Sequence, residues 1–107
     1  KPSEIEKNES INLLNESISK IDSLKSIYTI EKNKIISRII LVESEINNAN
    51  PCLVDILGML NEVVLILKCI ALGLKDKSSI NEAKENILNS ISIIENSCVN
   101  TNLIKKY

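Results

Sequence analysis

Apolar residues in this chain recur at steps of three and four rather than at alternate positions, so the pattern predicts helices even though β-branched Ile dominates. Gly and Pro, two of each, offer little to interrupt it. Ser3 and Glu6 form an S-x-x-E capping box that starts a helix near Glu4. Ile11, Leu14, Ile18, Ile21, Leu24 and Tyr28 then fall on one stripe, with Ser10, Asn12, Glu16, Ser19, Lys20 and Ser23 mostly off it. Ile35, Ile36, Ile39, Ile40, Val42 and Ile46 make a second stripe, and the phase slips between the two across Thr29 to Lys34.

Two readings fit that slip. One is a single helix over residues 4–48, about 65 Å long, which would overhang its partners and expose unpaired Ile. The other is two helices, about 4–28 and 31–48, with a turn near Thr29 to Asn33. The second leaves no overhang and is the expected arrangement.

Asn47-Asn48-Ala49-Asn50-Pro51 is the clearest break, with Asn50 as N-cap and Pro51 at the first helical position, where a missing N–H costs nothing. A third helix, about 51–75, carries a wide apolar band of Leu53, Ile56, Leu57, Leu60, Val63, Val64, Leu67, Ile70, Ala71 and Leu74. Asp55, Gly58, Asn61, Glu62, Lys68 and Lys75 lie on the remaining strip, with Leu65, Cys69 and Leu72 on or beside it. The segment is long enough to span a bilayer. Its Asp and Lys would each cost about 3 kcal/mol at mid-bilayer, so it reads as the central core helix of a bundle instead. Ser79 and Glu82 form a second capping box opening a fourth helix, about 79–97, with Ile80, Ala83, Ile87, Leu88, Ile91 and Ile94 inward and a loose tail over 99–107. The expected fold is a single all-α domain over residues 1–107. It is a small up-and-down helical bundle of four helices, or of three with one very long first helix.

Composition narrows the chemistry. The chain has 20 Ile, 13 Leu and 5 Val against no Phe, no Trp and two Tyr, so the core is aliphatic and offers no stacking surface. Thirteen basic residues against 14 acidic leave a net charge of −1, without the basic stripe that nucleic-acid binding requires. The chain has no His, which removes Ser-His-Asp and Cys-His nucleophilic sites and the usual zinc ligands. The pairs Glu43 with Glu45 and Asp55 with Glu62 read as solvated stripes rather than acid–base dyads, and no Gly-rich phosphate loop is present. A non-enzyme without cofactor or metal is expected.

The chain starts at Lys1-Pro2 rather than Met, which reads as removal of a signal peptide or as a trimmed segment. The sequons at Asn8 and Asn15, seven residues apart and on one helix face, permit N-glycosylation and add to the case for secretion. Folding the last two helices into an antiparallel hairpin brings Cys52 near Cys98, the expected disulfide; Cys69 is too far along to pair with Cys98. Cys69 is then a spare thiol, either packed as a small hydrophobe or free for an intermolecular disulfide. The alternative compartment is the cytoplasm, with three plain thiols.

Three functions follow as expectations. The first is a secreted protein, of the kind found among effector, salivary and venom proteins, that acts by binding another protein. Its anchor would be the Leu65, Cys69 and Leu72 edge, Tyr28 or Tyr107. The second is a carrier of a small hydrophobic ligand between helices. Ile66-Leu67-Lys68-Cys69 with Cys98 beyond it resembles the last two helices of secretoglobins, through a generic motif and over that part alone, in a longer chain; the resemblance implies the carrier function. The third is a self-assembling helical module, in the simplest case a homodimer.

Overall fold

A computed structural model describes residues 2–25 and 27–98, apart from the Cys98 side chain. It contains four helices, α1 (Glu4–Asp22), α2 (Thr29–Ile46), α3 (Leu53–Ala71) and α4 (Ser78–Cys98), and no strand among the described residues. The first half is thus two helices and not one. Each connection is six residues long, too short for a crossover, so consecutive helices run antiparallel as neighbours. Contacts join α1 to α2, α2 to α3, α3 to α4 and α4 back to α1, with none across the diagonals. The result is a closed square of four helices around one aliphatic core, the all-α bundle that the periodicity predicts.

The helix ends show where local chemistry overrides the apolar pattern. The capping box at Ser3 is formed as expected: the Ser3 hydroxyl accepts from the Glu6 N–H at 3.1 Å, and the Glu6 carboxylate accepts from the Ser3 N–H at 2.8 Å. α1 stops at Asp22 rather than near Tyr28, and α2 already starts at Thr29, where the sequence predicts the turn. The phase slip marks the start of α2, whose register is new, and not the turn itself. At α3 the N-cap is Cys52, not Asn50; the cap acceptor comes from α2, where the Glu45 carboxylate takes the Cys52 N–H at 3.0 Å. At α4 the expected Ser79 box is replaced by Asp76, whose carboxylate accepts from both the N–H (3.0 Å) and the hydroxyl (2.8 Å) of Ser78. Both replacements put an anion at a helix N-terminus, where the unpaired N–H groups favour it. The predicted tail, 99–107, lies outside the described residues.

Inside the square the expected stripes are buried: Leu14 and Ile21 on α1, Ile35, Ile39, Val42 and Ile46 on α2. Ile56, Leu60, Val63 and Leu67 on α3 and Ile80, Ala83, Ile87 and Ile94 on α4 complete the core. Burying each Leu or Ile contributes roughly 1.5–3 kcal/mol relative to exposure. Two expectations fail. Tyr28 and Ile40, placed on the stripes by spacing, are 82% and 52% exposed. Tyr28 is the N-cap residue of α2 and so points out of the turn.

Four serines are buried as well: Ser10, Ser17, Ser90 and Ser97. With Ala83 they form two lines of small residues at seven-residue spacing, one on α1 and one on α4. The Ser17 hydroxyl donates to the Ala83 carbonyl across the helix pair at 3.1 Å, and also lies 3.1 Å from the Leu13 carbonyl of its own helix. That register faces Ser10 with Ser90. Small side chains let the two backbones approach, and α1 with α4 is the most closely packed pair in the bundle. The polar label of Ser10 had placed it off the buried stripe; size, not polarity, decides its position here.

Candidate functional site

The opposite side of the square is built differently. α2 turns Glu31, Lys34 and Arg38 toward α3, where branched aliphatic side chains would have closed the seam. The guanidinium Nε of Arg38 pairs with Glu62 Oε1 and pins the two helices at mid-length. Beyond that pair the seam opens into a groove of about 470 Å³. Ile66 and Ile70 form its half-buried floor, Leu65 and the exposed Cys69 its α3 wall, and Glu31 and Lys34 its α2 wall. A smaller depression of about 190 Å³ continues it past Glu31 and Ile70 to Tyr28, Gly73 and Leu74.

Two of the three edge residues singled out from sequence, Leu65 and Cys69, therefore line the groove, and Leu72 stands just past it on the C-cap of α3, 82% exposed. Tyr28 closes the far end; Tyr107 lies outside the described residues. The groove lies on the half of the bundle whose surface is the more apolar. Among the described residues eight large apolar side chains are exposed, and seven belong to α2, α3 or their caps. The eighth, Ile5, is on α1, and α4 has none. Ile30, Leu41 and Val54 belong to this surface and were not singled out from sequence. Val54 does fall outside the apolar band of its helix, which is the signal that could have found it.

The electrostatics of this face are mixed. Glu62, read from sequence as part of a solvated acidic stripe with Asp55, is the partner of Arg38. Glu45 is held below the usual carboxylate range by the Cys52 N–H and then by the Asn48 side chain, in line with its role as a cap. Glu43, on the same turn, is pushed up by burial, and its Oε2 has no hydrogen-bond partner. Glu43 and Glu45 therefore differ in role.

Cys52 and Cys69 carry free, exposed thiols, and no disulfide is formed among the described residues. Cys69 is thus not the packed thiol that one reading expected. The side chain of Cys98, the expected partner of Cys52, lies outside the described residues. Asn8 and Asn15 are both exposed on α1. Asn15 borders a polar hollow on α1, shared with Asn12, Glu16, Ser19 and Lys20. There Lys20 reaches Glu82 at 2.7 Å and Glu16 accepts from Asn86 at 3.4 Å, so the hollow is the hydrated shoulder of the α1–α4 seam. No group of His, Cys, Asp or Glu among the described residues is placed to hold a metal ion. No described helix is long and apolar enough to cross a membrane.

No protein-family model, curated protein or solved structure matches the chain.

Proposed function

We propose that this is a secreted, non-enzymatic helical protein that acts by binding another protein through its α2–α3 face. The observation that carries the reading is the segregation of exposed apolar surface: among the described residues seven of eight large exposed apolar side chains belong to α2, α3 or their caps, the half of the bundle that also holds the groove. Contiguous apolar surface rimmed by charge is the usual mark of an interaction site, whereas scattered exposed residues need no explanation. Both sequons sit on α1, so glycans at Asn8 and Asn15 leave the α2–α3 face free. Antiparallel packing of α3 and α4 brings the residue before α3 to the same end of the bundle as the last residue of α4. Those residues are Cys52 and Cys98, which supports their pairing by exchange with a disulfide oxidant in a secretory compartment.

Site-specific photo-crosslinking tests the reading. A photoreactive residue at Leu65 is expected to give an adduct that unlabelled protein competes away and a Leu65→Glu competitor does not, while the same probe at Glu85 on α4 gives none. Equal labelling from both positions would overturn the assignment.

A second reading, carriage of a small apolar ligand, is favoured by the aliphatic lining of the same groove around Ile66 and Ile70. Native mass spectrometry separates the two, because a carrier retains added fatty acid and a protein-binding face does not.

A further inference from the structure

We infer that the surface covering the α2–α3 face is a second copy of this chain, with α3 packed antiparallel against its counterpart about a two-fold axis at Leu65. The inference rests on reading that face as the binding face. Its starting point is the exposed ridge of α3, where Gly58, Leu65 and Leu72 stand seven residues apart. Leu65 is 62% and Leu72 82% exposed, while a side chain added at Gly58 would meet nothing within 4 Å. In an antiparallel pair with Leu65 on the axis, the residue seven before it faces the residue seven after it. Each copy's Leu72 then stands over the other's Gly58, one projecting side chain over one gap, twice by symmetry. A heptad stripe drifts about 20° per repeat, which a left-handed crossing of about 20° takes up.

Charge and size agree with a self-match. Glu31 and Glu62 are balanced in the groove by Lys34 and Arg38, so two copies meet without a field of one sign to repel them. A nucleic acid or an anionic membrane would call for a basic face instead. Two helices of 18 and 19 residues side by side, about 28 Å long and about 10 Å wide each, present roughly 560 Å² in projection. That is the order of the ~800 Å² per partner that a stable interface buries. The same register keeps the contact non-covalent. Each Cys69 lies four residues from the axis, so the two thiols are about 12 Å apart along the helices, beyond the Cα separation of about 7 Å that a disulfide tolerates.

Sedimentation velocity of the full chain in reductant, over a concentration series, tests this. The wild type is expected to be a reversible dimer. Leu65→Glu should raise its dissociation constant at least about thirtyfold, the loss of a central anchor, with helical circular dichroism unchanged. Gly58→Leu should also weaken the dimer, yet leave the dilute monomer no less heat-stable, because the site is open within one copy. Ile5→Glu on α1 should change nothing. A wild type that stays monomeric to its solubility limit, a dimer indifferent to Gly58→Leu, or a dimer that exists only through a Cys69 disulfide would each overturn the proposal. Competed crosslinks from position 65 to a different protein, with a monomeric wild type, would sink the second copy and leave the binding face standing. Loss of both would remove the face as well.

Discussion

The α1–α4 and α2–α3 pairs are made from the same few residue types, yet one seam is closed and the other is open. Between α1 and α4 the facing positions are small, with Ser10, Ser17, Ala83 and Ser90 all buried. The backbones approach until the Ser17 hydroxyl reaches a carbonyl of the other helix at 3.1 Å. Outside that seam, charged and amide groups pair with one another, as Lys20 does with Glu82. Between α2 and α3 the facing positions are long and charged on one side and aliphatic on the other, and the Arg38–Glu62 pair leaves a groove beside it. Small residues at heptad spacing close a helix pair; long charged ones hold it apart. The closed half contributes stability, and the open half is left with surface to bury against something else.

Adding bulk at a small position in each half should therefore have opposite outcomes, and this is the largest effect expected. Ala83→Leu forces the α1–α4 seam apart and should cost about 3 kcal/mol, the upper part of the range for overpacking. Gly58→Leu fills open space, removes a helix-interior Gly, and should raise the stability of the dilute monomer by up to about 1 kcal/mol. Thermal unfolding of the two variants side by side measures both, and similar losses in the two would mean that α3 has no open face.

The serine seam can be resolved one hydroxyl at a time. Ser17→Ala deletes a bond between helices and should cost on the order of 1 kcal/mol. Ser10 and Ser90 face each other with buried hydroxyls that have no partner, so replacing either with Ala should gain on the order of 1 kcal/mol. Denaturant melts that show three equal losses would mean the hydroxyls are alike and that size alone accounts for the seam. On the other half, Leu65→Lys should leave the dilute monomer within about 0.5 kcal/mol of wild type, as expected of a side chain exposed in one copy.

Most of the architecture was legible in sequence because it depends on period and size. The stripes of Ile and Leu identify the core, and Ser3 with Glu6 gives the first cap. What sequence left open depends on partners distant along the chain. Nothing local to Cys52 says that Glu45, on the previous helix, will cap α3 in place of Asn50. Nothing local to Ser10 says that another Ser will face it. The site was half legible for the same reason. Leu65, Cys69 and Leu72 stand out as apolar residues on a polar strip, but the groove beside them exists only because Glu31, Lys34 and Arg38 of α2 face it. Hydropathy could not rank Ile30, Leu41 or Ile40, which lie among residues of the same kind on a helix whose other side is core.

The smallest expected effects are in the response to pH, where the carboxylates pull in opposite directions. Glu45 and Asp76 titrate below their ordinary values in the folded chain because each accepts the N–H that opens a helix. Their contributions are present above the ordinary carboxylate range and are lost as pH falls through the depressed folded values, so Glu45→Gln should lower the melting temperature at neutral pH and not in strong acid. Glu43 is raised by burial, so its charge opposes folding at neutral pH and the penalty disappears on protonation. Glu43→Gln should therefore raise the melting temperature at pH 7 and give no gain near pH 3. Identical pH profiles for the two variants would contradict the different roles assigned to these neighbours.

The most direct measurement of the difference between the two faces is a dilution series of ¹⁵N–¹H amide spectra. The expected result is concentration-dependent shifts at Gly58, Leu65, Cys69, Leu72 and the facing residues of α2, with α1 and α4 unmoved. Shifts confined to α1 and α4 would contradict it, and spectra that do not change with concentration would remove the second copy from that face.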